Sequence, residues 1–263
     1  MDPIIQAVGG VMSVTGYPES GPTAIGAPLA DVLTGMFGAY SIVGMLHAVR
    51  QDGRGRYIDV SMQAAMLATL GPRMGGALNA GIAPGRIGNQ NPMRMPSDVY
   101  TTRDGASVFV MVHHDRQWAP FCRAMQSADW LEEARFATNR LRCDHRDELN
   151  RLVFERFADY DVAEITSRLE AERVPHAVVN DYVRAVADEQ ALDRGVVQEV
   201  THRDSGAIRV IGPPWIVDGQ SVKVGPPPAL DEHADAILRN WLEWTPEQIR
   251  RFRAAGSDAG GAA

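Results

Sequence analysis

The chain has 263 residues, 45% of them hydrophobic, with 26 Lys and Arg against 33 Asp and Glu and a net charge of −7. That is an ordinary globular composition, with chain enough to bury a core as one large domain or two small ones. An acidic chain without a basic run has no electrostatic footprint for nucleic acid or an anionic membrane, which argues against both as partners. Two cysteines, Cys122 and Cys143, make neither a disulfide framework nor a metal cluster and suit a reducing cytoplasm. No basic segment leads into an apolar one at the start, so no secretory signal is visible and a cytoplasmic location is expected.

In chain order, the first seventy residues are small and apolar, and Gly9, Gly10, Gly16, Gly21, Gly26, Gly35, Gly38 and Gly44 are scattered through them. Residues 32–49 lack Asp, Glu, Lys and Arg over 18 positions, near the lower limit for a membrane span. Three glycines, two hydroxyls, Tyr40 and His47 within it favour a buried helix of a soluble core instead. Asp31 stands where the N-cap of that helix is expected, and Gly53 and Gly55 should stop it after Arg50. Residues 56–61 read as a strand through Tyr57, Ile58 and Val60, and residues 63–70 as a helix. Residues 71–96, rich in Gly and Pro, read as a long linker carrying a functional loop.

Residues 97–102 and 107–112 are β-rich runs around Asp104-Gly105, a hairpin signal. Leu149, Leu152, Val153 and Phe157 then share one helix face, with Asp144 as a possible cap. Asp161-Val162-Ala163-Glu164 has the form of a capping box ahead of Ile165 and Leu169. A short strand is expected within 173–180, a helix over 182–188, a strand over 206–211 and an extended proline segment at 225–228. Two helices close the chain, over about 232–244 and 246–255. The second has Thr245 at the cap, Pro246 at the first helical position, Gln248 closing a capping box and Gly256 ending it. Residues 257–263 form a small-residue tail expected to be disordered.

The usual phosphate-loop, zinc-protease, serine-hydrolase and dithiol motifs are missing. His113-His114-Asp115 invites a metal reading, but adjacent histidines at a strand end point to opposite faces, so no metal site is assigned. Asp31 is the more interesting group. A carboxylate at a helix N-terminus is held ionised by the helix dipole and can act as a nucleophile toward an activated acyl group. A plain helix cap is the competing reading of its spacing.

The surrounding text favours the first. The stretch Asp2-Pro3-Ile4-Ile5-Gln6-Ala7-Val8-Gly9-Gly10-Val11-Met12, then Thr15-Gly16, Gly21-Pro22 and Gly26-Ala27-Pro28-Leu29-Ala30-Asp31, resembles the class III CoA-transferases. This is the CaiB/BaiF and formyl-CoA transferase family, which also holds α-methylacyl-CoA racemase. Later matches keep their order: Gly53-Arg54-Gly55, Asp59-Val60-Ser61-Met62, Gly88-Asn89 with Pro92, and Asp115-Arg116-Gln117-Trp118. Arg135-Phe136-Ala137, Val174-Pro175 and Leu230 with Glu232-His233 follow, so the likeness runs along essentially the whole chain.

The resemblance implies an α/β fold: the C-terminal portion of a Rossmann-like large domain plus a small α+β domain, in an interlocked dimer. Residues 1–70 would be the latter part of the large domain, 71–96 linker and substrate loop, 97–188 the small domain and 189–256 a return segment. It implies an acyl-CoA:carboxylate CoA-transferase with Asp31 as catalytic carboxylate, acting through a mixed anhydride and an aspartyl-CoA thioester. Gly88, Asn89 and Gln90 correspond to the substrate loop, although the loop is less glycine-rich than in the family, and Asp2 would contact the CoA. No cofactor would be held permanently; the CoA thioester is substrate, and a carboxylic acid accepts the CoA.

Family members carry a further stretch ahead of the point matching Asp2. The chain is therefore expected to be a truncated product or half of a split enzyme, acting as a homodimer or with a separate N-terminal half. Met1 falls where racemases show a catalytic His, and Asp115 where they show a Glu, which favours transfer over racemisation. A racemase or epimerase, and an inactive family fragment, remain the alternatives.

Overall fold

A computed structural model describes residues 1–71 and 74–259. The chain divides into two compact units, Met1–Val179 and Asn180–Ala263.

The first unit opens with helices α1 (Asp2–Val8), α2 (Val11–Val14), α3 (Leu29–Asp52), α4 (Met62–Thr69) and α5 (Met74–Ala80). Strands β1 (Ser97–Thr101) and β2 (Ser107–Met111) follow, then α6 (Trp118–Ala124), α7 (Asp129–Glu132), α8 (Asn139–Asp144), α9 (Arg146–Phe157), α10 (Val162–Ala171) and β3 (His176–Val178). The second unit holds α11 (Tyr182–Ala185), α12 (Glu189–Asp193), β4 (Val197–His202), β5 (Gly206–Ile211), β6 (Ile216–Val217), β7 (Gln220–Ser221), α13 (Ala234–Asn240) and α14 (Pro246–Ala259).

Two apolar clusters organise the first unit. The larger lies on the antiparallel sheet β1-β2-β3, in which Val99 faces Phe109 and Phe109 faces Ala177. Alternation places Val108 and Val110 inward, where α6, α9 and α10 add Phe121, Leu149, Val153, Phe157, Ile165 and Leu169. Trp118 stacks with Phe121 and Trp130 at centroid separations of 5.8 and 6.3 Å. The smaller cluster is Val11, Ala30 and Met66, where α1, α3 and α4 meet. Gly9 permits this approach, because a Cβ there would stand 2.4 Å from Met66 Cγ.

Several sequence expectations need correction. Helix α3 begins at Leu29 with Pro28 as its N-cap, so Asp31 lies within the first turn rather than before it. Its C-cap is Gly53 at φ 70°, whose N–H reaches Val49 O at 2.8 Å, as the sequence suggested. The helix is largely exposed rather than buried: Ala30 alone is buried, while Tyr40 and Val43 are 64% and 68% exposed. The run has the composition of a core helix, but α1 and α4 supply its main packing and cover little of it.

Residues 56–61 form no strand, since among the described residues no neighbouring strand in this region offers the backbone partners a ladder requires. Within the expected linker, α5 is helical. Asp144 ends α8, and His145 takes the N-cap of α9 instead. Helix α13 is shorter than expected, stopping at Asn240. The last helix runs past Gly256, since glycine weakens a helix without forbidding it. That covers 257–259 of the expected tail; residues 260–263 lie outside the described residues.

Candidate active site

Helix α3 sets the site. Asp31, in its first turn, is solvent-exposed, and among the described residues no hydrogen bond or ion pair engages its carboxylate. Negative charge is favoured at this end of a helix, where unpaired N–H groups gather. Here those groups already have partners. Pro28 has no N–H, Leu29 N–H donates to Ala27 O at 2.7 Å, and Ala30 and Asp31 N–H donate to Asp2 Oδ2 at 2.7 and 3.2 Å.

Asp2, for which the resemblance implies a CoA contact, is only 7% exposed and commits both oxygens inside the protein. Its Oδ1 accepts from Gln6 Nε2 at 2.5 Å, one turn along α1. Burial acts to raise the Asp2 carboxyl, but the hydrogen bonds from Gln6 and from the N–H groups of Asp31 and Ala30 outweigh it and hold the carboxyl below its usual value. Gln6 also grips the strap ahead of α3: its Oε1 accepts from Ile25 N–H at 2.9 Å, and its Nε2 reaches Ala27 O at 3.2 Å. Asp2 and Gln6 thus fasten the 25–31 segment to α1.

The substrate-loop candidates Gly88, Asn89 and Gln90 dock on another part of the same N-terminal stretch. Gly88 N–H donates to Gly16 O at 2.9 Å, and Asn89 Nδ2 to the Tyr17 hydroxyl at 2.7 Å. Gly88, at φ 61°, lies so close to the Tyr17 ring that a Cβ would stand 2.4 Å from its carbons. Gln90 N–H closes a turn onto Ile87 O at 3.2 Å. Asp31 and Asp2 are therefore brought together, and the loop is tied to Gly16 and Tyr17; no hydrogen bond joins Asp31 to residues 88–90 among the described residues.

Gln6 and Tyr17 were not singled out from the sequence. A Gln four residues after an Asp on one helix signals the first, whereas nothing local foretells that Tyr17 would meet a loop some seventy residues away.

Other titratable groups have separate tasks. Asp115 Oδ1 accepts from Arg142 Nη2 and Asn139 N–H, each at 2.7 Å. Arg142 is wholly buried; it also donates to Met95 O and Phe136 O and lies 4.7 Å from the Trp118 ring centroid. His113 and His114 lie beyond the end of β2, and their rings meet edge to face at 4.4 Å rather than pointing apart. Gln117 Oε1 accepts both of their N–H groups, which sets this arrangement. Burial, then His113, Arg116 and Arg94, lower the His114 pKa. Burial of Cys122 pushes its thiol up to about 12, unsuited to nucleophilic work.

The chain matches the model of CoA-transferase family III over residues 1–234. It belongs to that family. It is 29% identical over 262 residues to human succinyl-CoA:glutarate CoA-transferase, covering 97% of this chain and 58% of the relative. It is 28% identical over 239 residues to the succinate–glutarate CoA-transferase of Agrobacterium fabrum, covering 90% of this chain and 59% of the relative. The fold agrees with a crystal structure of a CaiB/BaiF family protein from Brucella suis, with TM-score 0.79 and 27% identity over 91% of this chain and 62% of that one. The chain thus spans under two thirds of the length of these relatives.

Proposed function

We propose that the protein is an acyl-CoA:carboxylate CoA-transferase whose nucleophile is Asp31. One observation carries the reading: the Asp31 carboxylate is exposed and unengaged at a helix start whose N–H groups are already satisfied. Relatives named for succinyl-CoA:glutarate transfer support the reaction class.

The chemistry balances as acyl exchange between oxygen and sulfur. An Asp31 oxygen attacks the thioester carbon of the donor acyl-CoA, breaking the C–S bond to give a mixed anhydride and the CoA thiolate. The thiolate attacks the Asp31 carbonyl, releasing the donor carboxylate and leaving an aspartyl-CoA thioester. An acceptor carboxylate attacks that thioester, and the released thiolate then takes the acceptor acyl group, restoring Asp31. Orientation supplies most of the advantage, because a carboxylate is a weak nucleophile in water. Gly88 and Gln90 N–H are committed to Gly16 O and Ile87 O, so Asn89 N–H is the candidate donor of that loop to the thioester oxygen. Residues 1–70, 97–188 and 189–256 would serve as large-domain portion, small domain and return segment.

Asp115 supports transfer over racemisation, since its Oδ1 is already shared by Arg142 and Asn139. The exposed apolar side chains Tyr40, Val43 and Leu46 on α3 support association with further polypeptide, a second copy or a separate N-terminal half. Helix α3 also has the length and composition to cross a membrane, as core helices of soluble proteins do, and a cytoplasmic enzyme is the reading adopted.

The test is mass spectrometry of the protein treated with a panel of acyl-CoAs and hydroxylamine, wild type against Asp31→Ala. Hydroxylamine converts an activated aspartyl group to a hydroxamate. A mass change confined to the Asp31 peptide and lost in the variant is expected, and an unmodified Asp31 peptide throughout contradicts the proposal.

A further inference from the structure

We infer that Asp2 is a positioning residue whose task is to keep the Asp31 carboxylate free, an inference that rests on Asp31 being the nucleophile. An acidic side chain in the first turn of a helix ordinarily folds back onto the unpaired N–H groups there. A carboxylate held in such bonds has its lone pairs occupied and points along its own helix, both of which weaken it as a nucleophile.

Around Asp31 every such donor is removed. The N-cap is Pro28, so the amide that a third-position side chain reaches in a capping box does not exist. Leu29 N–H is taken by Ala27 O. Ala30 and Asp31 N–H both go to Asp2 Oδ2. Val32 N–H closes the first helical bond to Pro28 O at 3.0 Å.

Asp2 is suited to this task because it comes from a different helix. It satisfies the helix end without involving the residue that must react. Its other oxygen is fixed by Gln6, which also holds Ile25 and Ala27, so acceptor and strap are set by one network. Burial beside Ala30, itself fully buried, keeps water from competing for the same N–H groups. Asp2 therefore acts through Asp31 rather than on substrate.

The experiment is carboxylate footprinting of the native protein with a water-soluble carbodiimide and an amine, read peptide by peptide in a mass spectrometer. Exposed Asp59 serves as internal control. Asp31 should label readily in the wild type. In Asp2→Ala two donors are freed, and the Asp31 labelling rate should fall about tenfold as the side chain folds back. Asp2→Asn keeps an acceptor oxygen and should return the rate to within about twofold of wild type. Pro28→Ala leaves Asp2 in place but restores one N–H, and should slow Asp31 labelling about threefold, which keeps the test decisive if Asp2→Ala fails to fold. Unchanged Asp31 labelling in Asp2→Ala or Pro28→Ala, with Asp59 steady, overturns the positioning role. The expected labelling pattern without an Asp31 hydroxamate overturns the nucleophile reading instead, so the two failures are distinguishable.

Discussion

Two stretches of the first unit are held in place by different physics. Between Met95 and Val174 the chain closes stacked aromatic rings over a three-stranded sheet, and apolar burial fixes the geometry. Around Asp31 the buried apolar cluster is Val11, Ala30 and Met66, and hydrogen bonds from Asp2 and Gln6 define the arrangement. The first stretch therefore resists change through packing. The second can lose its geometry through one polar substitution that hardly alters the buried area.

Four changes test that contrast, beginning with the largest. Phe121, fully buried in the aromatic cluster, should cost about 3–5 kcal/mol on replacement by Ala, seen as a lower urea midpoint. A loss under about 1 kcal/mol would show that packing does not dominate there. Arg142→Met deprives Met95 O and Phe136 O of their Arg142 donor and leaves Asp115 Oδ1 with Asn139 N–H, and about 3 kcal/mol of destabilisation is expected in the same assay. Gly9→Ala forces a Cβ against Met66 and should cost about 1–3 kcal/mol, the overpacking penalty of a small, tight contact.

The smallest effect is the pH response of the Asp2 network. Hydrogen bonds hold the Asp2 carboxyl below its usual value, so its contribution is present above the unfolded carboxyl pKa of about 3.9. It is lost as pH falls through the lower folded value. The amide NMR signals of Ala30 and Asp31 should stay constant down to about pH 4 and move only below it. Movement centred above pH 5 would place the carboxylate elsewhere.

Local signals were legible wherever a few neighbouring residues decide the outcome. The Asp104-Gly105 hairpin forms, with Gly105 at φ 82°. Thr245 and Gln248 form their reciprocal capping box, with bonds of 3.3 and 2.8 Å. Asp161 caps α10 by accepting from Glu164 N–H, although the Glu164 carboxylate turns to Arg168 instead of closing the box.

Two readings that depended on distant partners failed. The run 56–61 has strand composition without a neighbouring strand, and the apolar α3 lacks the cover that its composition led one to expect. The same limit applied at the site. Asp31 and Asp2 could be singled out from the motif, but the bond between them joins positions 29 residues apart, which no local pattern announces.

The central claim is that Asp31 itself becomes acylated, and a single turnover with an acceptor acid labelled with oxygen-18 in its carboxylate tests it most directly. Attack of the acceptor on the aspartyl thioester, followed by return of the CoA, leaves one acceptor oxygen on the enzyme. One oxygen-18 atom in the Asp31 peptide, and in no other, is the predicted result. Turnover with the label absent from Asp31 would contradict the account.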